Sequence, residues 1–182
     1  MPCVSDPGAS LVEFCIQNEI AYDVLPGANA ILTAYAMSGF SHTTFSFYGF
    51  LDHKGVSRAS KLSDVLNDDK LAILYESTHR LLKLLEELSI KDANRTIFLA
   101  KEISKLHQNS YKDTALNLFE KFKDINIKGE WVVIIEPKET VGFNLDLDDI
   151  LSLDIAPKIK AKLIAKMTGE SIKDVYQKLL EN

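Results

Sequence analysis

Two short segments have the composition of turns that can hold a ligand. They are Pro2–Gly8, which reads Pro-Cys-Val-Ser-Asp-Pro-Gly, and Leu25–Ala30, which reads Leu-Pro-Gly-Ala-Asn-Ala. Glycine and short polar side chains permit tight turns, in which backbone N–H groups can approach a ligand closely. The alternative interpretation of each segment is a plain turn between two elements.

Two further segments carry charged side chains where a predicted strand ends. In Tyr75–Arg80, Glu76 could orient a hydroxyl or a cation, and Arg80 could hold a phosphate with two parallel hydrogen bonds. The alternative for this segment is an ordinary helix start. A hydroxyl side chain would cap the helix, and the negative charge of Glu76 would interact favourably with the helix dipole. The segment 100–107, Ala-Lys-Glu-Ile-Ser-Lys-Leu-His, is either the rim of a site or a solvated loop.

Composition excludes several classes of protein. The formal net charge is -5, with 21 basic and 26 acidic residues, so the chain is not a strongly basic nucleic-acid module. The two cysteines are too few for a disulfide scaffold, and the four histidines have no metal-ligand spacing, so we expect no metal. No apolar run reaches the roughly 20 residues that cross a bilayer. We therefore expect a cytoplasmic protein with no membrane contact.

The elements that would position these segments alternate between strands and helices. Leu81, Leu84, Leu85 and Leu88 recur at the helical period and predict a helix over 79–89 with one buried face. Polar segments that follow strands indicate a cleft, because open α/β proteins place their sites at the carboxyl ends of strands. The other predicted helices are 9–18, 28–37 and 112–123, and the predicted strands are 22–25, 45–50, 71–75, 96–100 and 131–135.

The pattern divides the chain into three regions. Residues 1–41 form a helix–strand–helix unit of a parallel sheet, and residues 42–137 form a mixed-sheet α/β domain. Residues 138–182 form an acidic linker and a lysine-rich module of two helices separated by Gly169. We expect Ile159, Leu163 and Met167 to be buried in the first of these helices. A helix–turn–helix and a plain two-helix hairpin are both compatible with this module.

The motifs occur together in one order. Pro-Cys-Val-Ser-Asp-Pro-Gly, Leu-Pro-Gly, Tyr-Glu-Ser-x-His-Arg, Ala-Lys-Glu-Ile-Ser-Lys and the pair Gly129-Glu130 follow one another along the chain. In the identity and order of these motifs, the chain resembles the bacterial ribosomal RNA small subunit methyltransferase I family of the tetrapyrrole methylase superfamily. That family 2′-O-methylates a cytidine ribose in 16S rRNA and binds S-adenosylmethionine between two α/β domains of a homodimer.

The resemblance covers essentially the whole chain, with three departures. Thr78 stands where the family usually has proline, and Lys101 stands where it usually has arginine. The family's first strands are missing, so the implied fold is a tetrapyrrole-methylase-like two-domain fold without most of its first domain and with a C-terminal helical hairpin. Residues 1–41 would be the remnant of the cofactor-binding domain. We therefore expect this N-terminally truncated chain to bind cofactor weakly or not at all, and to methylate poorly or not at all.

The resemblance also implies site residues. Catalytic roles would fall among Glu76, Glu102, Arg80 and Lys105, with either glutamate as the proton acceptor. Helical spacing places Lys158, Lys162 and Lys166, named here the lysine stripe, on one line that would contact rRNA phosphates. The predicted cofactor-binding residues are Pro2, Val4, Ser5, Asp6, Pro26, Gly27, Asn29, Ala30, Tyr75, Glu76, Gly129 and Glu130.

Other functions remain open at this point. One is a methylase of the same superfamily that acts on a tetrapyrrole or on a protein. Another is a non-catalytic fragment that binds RNA or protein. The lysine-rich tail favours an RNA substrate over a small molecule, because a small substrate needs no phosphate-binding module. The lysine stripe can also be a solvated surface.

Overall fold

The computed structural model describes residues 3–138 and 146–180, which belong to two compact units, 1–139 and 140–182. The predicted α/β class with a mixed sheet is confirmed in the first unit. In the described ranges, no helix has both the length and the apolar character needed to cross a membrane. The predicted domain boundary at residues 41–42 stays a prediction.

The first unit is built on a sheet of five strands, which are β1 (Phe45–Phe50), β2 (Leu71–Ser77), β3 (Thr96–Lys101), β4 (Asn109–Thr114) and β5 (Glu130–Ile135). Their order across the sheet is β1-β2-β5-β3-β4. The pair β1–β2 is parallel, and every other neighbouring pair is antiparallel. The carboxyl ends of β1, β2 and β3 therefore lie at one end of the sheet, together with the start of β5. This is where the charged segments predicted from the sequence lie.

Helices cover both faces of this sheet. On one face pack α3 (Gly55–Asn67), α4 (Thr78–Lys91) and α5 (Ala115–Phe122). The predicted leucine face of α4 is confirmed, since all four leucines are fully buried. On the other face, Ile31 and Ala34 of α2 (Ala30–Ser38) pack on β2, β3 and β5. Lys112 of β4 donates to the Ser38 carbonyl at 3.0 Å, and its Nζ lies 3.8 Å from the Phe40 ring centroid. This contact holds the end of α2 against the sheet.

The predicted strand at 22–25 is wrong. The helix predicted just before it is present as α1 (Ala9–Gln17), but residues 20–29 form no regular element. Tyr22, Val24 and Leu25 are 48%, 53% and 76% exposed. A strand is stabilised by hydrogen bonds to a neighbour and by a packed face. No described residue supplies either to this segment.

Two other elements differ from the expectation. The segment predicted as one helix over 112–123 is divided between the end of β4 and α5. β4 is an edge strand whose side chains, apart from Tyr111 and Thr114, are exposed, so it lacks the apolar alternation that would have predicted it. Helix α3 was not predicted, because its buried side chains fall mostly in its second half.

The second unit consists of α6 (Leu147–Ser152), α7 (Pro157–Thr168) and α8 (Ile172–Leu180). The two predicted tail helices are present, Gly169 ends the first in the left-handed conformation, and Ser171 Oγ accepts from the Asp174 N–H. The predicted buried stripe is wrong, because Ile159, Leu163 and Met167 are 51%, 39% and 46% exposed. The helix instead buries another face, which also has helical spacing. That face consists of Ala161, Ile164 and Ala165.

Candidate functional site

Two cavities open at the end of the sheet where β2 finishes. Their volumes are about 370 Å³ and about 450 Å³, and they share Ser5, Ala30, Tyr75 and Ile103. The chain therefore brings together segments that are far apart in sequence, from Ser5 to Ile103. Of the predicted cofactor-binding residues, those that line one or both cavities are Val4, Ser5, Asp6, Asn29, Ala30, Tyr75, Glu76 and Glu130.

The remaining predicted cofactor-binding residues do not line these cavities. Pro26 and Gly27 precede the cavity wall, and no heavy atom lies within 4 Å of the position that a Gly27 Cβ would take. Gly129 contacts Thr78 and lies close to Glu102. Pro2 lies outside the described residues. The assignment of all these residues to cofactor binding stays a prediction.

The wall of the first cavity depends on the start of α2. Asn29 has an extended backbone, and its Oδ1 accepts from the N–H groups of Ile31 at 2.9 Å and Leu32 at 3.1 Å. Asparagine at this position satisfies N–H groups that have no partner inside the helix. The cap fixes where α2 begins, and so it places Ala30 at the mouth of both cavities.

Tyr75 forms the aromatic wall between the cavities. Its ring centroid lies 5.1 Å from that of Phe47 and 5.5 Å from that of Phe50, both on the parallel neighbour β1. Burial and the nearby Asp6 carboxylate raise the pKa of the Tyr75 phenol. The phenol is therefore neutral and able to donate a hydrogen bond at physiological pH.

Glu76 is the most deeply buried charged group at the site. Its side chain is fully buried, and its Oε1 lies 2.9 Å from Arg80 Nε and accepts from the Ser77 N–H at 2.8 Å. Its Oε2 has no hydrogen-bond partner among the described residues. A buried carboxylate oxygen without a partner is costly unless a ligand supplies one.

Arg80 is held by several protein groups. It pairs with Glu76, donates from Nε to Ser77 Oγ at 3.2 Å, and donates from Nη1 to the Leu51 carbonyl at 2.9 Å. Its guanidinium also lies 5.7 Å from the Phe50 ring centroid. This geometry fixes Glu76 and joins the end of β1 to α4. The predicted role of Arg80 as a phosphate ligand stays a prediction.

A second charged group links the loop after β3 to the start of β5. Lys105 Nζ lies 3.1 Å from Glu102 Oε1 and 2.8 Å from Glu130 Oε2, and Glu102 Oε1 accepts from the Glu130 N–H at 2.7 Å. The hydrogen bond from the Glu130 N–H and the contact with Lys105 lower the pKa of the Glu102 carboxyl. Glu102 is therefore a weaker proton acceptor than a free carboxylate, and it lines neither cavity.

Gly129 lies just before β5, where the backbone passes close to the side chains of Glu102 and Lys101. Its φ is +134°, and an added Cβ would lie 2.9 Å from Glu102 Cγ and 3.0 Å from Lys101 Cε. Thr78 Oγ1 donates to the Gly129 carbonyl and accepts from the Gly129 N–H, both at 2.8 Å. Thr78, one of the departures from the resembled family, thus ties the start of α4 to this loop.

Several cavity residues were not predicted individually from the sequence, although Ile103 and Ser104 belong to the segment 100–107 that was considered as the rim of a site. Phe50 ends β1, and Ile103 and Ser104 lie in the loop after β3. All three stand at the carboxyl end of a strand, which is the signal that could have identified them.

The predicted RNA-binding residues lie in the second unit. All three side chains of the lysine stripe are exposed on α7. Their contact with RNA stays a prediction.

The mixed sheet covered by helices and the cavities at its strand ends agree with the family comparison. Residues 1–118 match the model of the Tetrapyrrole (Corrin/Porphyrin) Methylases, and the chain belongs to this family. The predicted family membership is thereby confirmed.

Curated relatives and solved structures refine this placement. The chain is 43% identical over 181 residues to a ribosomal RNA small subunit methyltransferase I from Campylobacter fetus. This alignment covers 99% of this chain and 67% of the relative. The chain is 41% identical to the protein of the same name from Helicobacter pylori, over 100% of this chain and 66% of the relative. The chain thus spans about two thirds of the length of these relatives.

Among solved structures, the methyltransferase CobJ matches with a TM-score of 0.53 and 21% identity, over 78% of this chain and 64% of that chain. A cobalt precorrin-4 methyltransferase matches with a TM-score of 0.54 and 13% identity, over 70% of this chain and 56% of that chain. These likenesses agree with the α/β fold.

Proposed function

We propose that this chain is part of an S-adenosylmethionine-dependent methyltransferase that methylates the 2′-hydroxyl of a cytidine ribose in 16S rRNA. The observation that carries the proposal is the shared cavity wall, in which Ser5, Ala30 and Tyr75 come together from three separate segments. The names of the curated relatives support ribosomal RNA as the substrate. The small ribosomal subunit, a homodimer and a cytoplasmic location belong to the same proposal.

The chemistry of the second cavity fits the proposed cofactor. S-adenosylmethionine combines a flat adenine ring with a positively charged sulfonium. The rings of Phe50 and Tyr75 offer faces that attract a cation or stack on a flat ring, and Glu76 supplies a carboxylate. In the first cavity, Ser5 and Asp6 add short polar groups for hydrogen bonds. These residues would hold the cofactor.

The residues of the chain then position the reacting hydroxyl. When bound, S-adenosylmethionine supplies a methyl carbon that is already electrophilic, so placement of the hydroxyl matters more than a strong nucleophile. Glu76 Oε2, which has no partner among the described residues, accepts the hydroxyl proton. Arg80 is a positioning residue, because it holds Oε1 and leaves Oε2 without a hydrogen-bond partner among the described residues. Glu102 is a poorer choice of base, because its pKa is lowered.

The test is methyl transfer from tritiated S-adenosylmethionine to small ribosomal subunits that lack the modification. The chain is assayed alone and extended upstream with the corresponding segment of the Campylobacter fetus relative. Digestion of the RNA should yield labelled 2′-O-methylcytidine with the extended protein. Label on another nucleoside, or on protein, would contradict the proposed substrate.

Glu76→Gln should lower the rate by about 10²-fold or more, the range of a lost general base. Glu86→Gln, an exposed change on α4, is the matched control and should leave the rate unchanged. Equal rates for the two variants would exclude Glu76 as the proton acceptor.

A further inference from the structure

A third cavity, of about 460 Å³, lies at the same end of the sheet but belongs to the other face. Its residue Tyr111 packs with the cluster under α3, α4 and α5, whereas Ala30 and Tyr75 pack on the α2 face. Apart from Tyr111, the lining side chains are polar or charged. They are Lys101, Glu102, His107, Gln108, Asn109, Asn126 and Lys128.

The three amide side chains of this cavity share one arrangement. Gln108 Oε1 accepts from the Ser104 N–H at 2.6 Å, Asn109 Oδ1 accepts from the Ser110 N–H at 2.8 Å, and Asn126 Oδ1 accepts from the Lys128 N–H at 3.0 Å. Each oxygen is thus used within its own loop.

A backbone N–H requires an oxygen as its partner, so these contacts fix which side of each amide carries the NH₂ group. No described residue accepts a hydrogen bond from these three NH₂ groups. The amides are therefore left as donors.

The two lysines of the cavity add positive charge, and neither lies within ion-pair distance of a carboxylate among the described residues. Lys101 Nζ donates to the Asn126 carbonyl at 3.3 Å and lies 5.6 Å from the Trp131 ring centroid. Neither Lys101 nor Lys128 forms an ion pair within the described ranges. The one carboxylate at the cavity, Glu102, is bound to Lys105 and to the Glu130 N–H. The chain as a whole has a net charge of -5, yet this cavity is lined by hydrogen-bond donors and by two lysines.

We propose that this third cavity binds a phosphodiester group of the RNA substrate. Uncharged donors together with unpaired cations select a polyvalent oxyanion, and phosphate contacts of this kind fix the position of a nucleic acid without reading its bases. The volume is in the range of ligand sites, about 300–1,000 Å³, and exceeds what a free phosphate ion requires.

The third cavity also borders the proposed reaction site. Glu102 lines it, Glu130 lines the second cavity, and Lys105 pairs with both carboxylates. An RNA strand whose phosphate is bound in the third cavity therefore passes beside the reaction site. This inference rests on the proposed RNA substrate.

The test measures the binding of a fluorescein-labelled single-stranded RNA of about ten nucleotides by anisotropy. Asn126→Asp replaces the NH₂ group with a charged oxygen and keeps an oxygen for the Lys128 N–H. Asn94→Asp is the matched control, because it adds the same charge on an exposed residue just before β3, at the opposite end of that strand. We expect Asn126→Asp to weaken RNA binding by about tenfold relative to Asn94→Asp.

Lys128→Gln should reduce the slope of log affinity against log salt by about 0.7. Lys91→Gln, at the far end of α4, should not change it. Thermal unfolding of each variant shows that the loops remain folded.

Three results would overturn the proposal. They are equal affinities for Asn126→Asp and Asn94→Asp, no RNA binding by the unchanged chain, and variants that lose only inorganic phosphate while RNA binding persists. The last result would make the cavity a site for free anions.

The methyl-transfer assay separates these failures from failure of the proposed function. Labelled 2′-O-methylcytidine together with unaffected RNA binding in Asn126→Asp would retain the function and remove this site.

Discussion

Removing Arg80 tests whether the buried carboxylate of Glu76 depends on its ion pair. In Arg80→Met the aliphatic stem still packs, but Glu76 loses the guanidinium 2.9 Å from Oε1. Breaking a buried pair from one side costs about 3–5 kcal/mol. Arg80 is 16% exposed, so we expect a loss of about 3 kcal/mol in the free energy of unfolding.

The double variant separates the pair from its surroundings. Glu76→Gln alone should cost about 1–2 kcal/mol, because Arg80 keeps the Leu51 carbonyl and Ser77 Oγ. Arg80→Met combined with Glu76→Gln should cost less than the sum of the single changes by about 1–2 kcal/mol, since no buried charge is left unpaired.

Urea unfolding can be followed by the fluorescence of Trp131, the single tryptophan of the chain, which is 2% exposed in the core of the first unit. A cost below about 1 kcal/mol for Arg80→Met, or strictly additive changes, would refute the reasoning.

Three further predictions address other parts of the molecule. Gly129→Ala should lower the free energy of unfolding by about 1–3 kcal/mol in thermal unfolding, because of its positive φ and the close Glu102 side chain, whereas Gly27→Ala, with open space, should have little effect. Burial and the hydrogen bond to Asp68 raise the pKa of Tyr48 from 10.0 to about 12. Since the folded state favours the protonated phenol, this stabilisation is present below pH 10 and is lost as the pH rises through about 12. Tyr48→Phe should lose less stability than the unchanged chain over that interval in chemical denaturation, and an equal loss would count against the assignment. Changing the three residues of the lysine stripe to glutamine should flatten the salt dependence of binding to the small ribosomal subunit by up to about one unit of slope per lost phosphate contact; an unchanged slope would leave the stripe as solvated surface.

The parts of the fold that the sequence predicted are those in which apolar spacing alone decides burial. The leucines of α4 and the apolar runs of β2, β3 and β5 are examples, since each must face a core whichever way the chain is connected. Elements that depend on a partner were harder to predict. β4 is polar and becomes a strand because β3 offers it a hydrogen-bonded edge. Tyr22–Leu25 has strand-forming residues, but no described strand pairs with it.

The sequence also did not predict which of two possible faces of a helix is buried. In α7 the side chains of Ile159 and Leu163 are exposed, while those of Ala161, Ile164 and Ala165 are buried against Val175. Both sets have helical spacing, so periodicity did not distinguish them. Small side chains let two helices approach closely, and this closeness is a property of the helix pair that the pattern of one helix does not contain.

Half of the residues that line the two cavities were predicted from the sequence, whereas their roles required coordinates. The strand-end position of Glu76 and Glu102 marked both residues. Only the structure shows that Glu76 keeps a carboxylate oxygen without a described partner, while Glu102 is engaged by Lys105 and the Glu130 N–H. Sequence spacing could not distinguish these two environments.

Amide chemical-shift mapping tests most directly whether the two cavities at the end of β2 bind S-adenosylmethionine. This measurement detects weak binding, which we expect of this chain. Titration should produce saturable shifts at Ser5, Tyr75 and Ile103 that disappear in Ala30→Trp, a change that fills the shared wall. The lysine stripe should not shift. No saturable shift at these residues, or shifts that persist in Ala30→Trp, would contradict such binding.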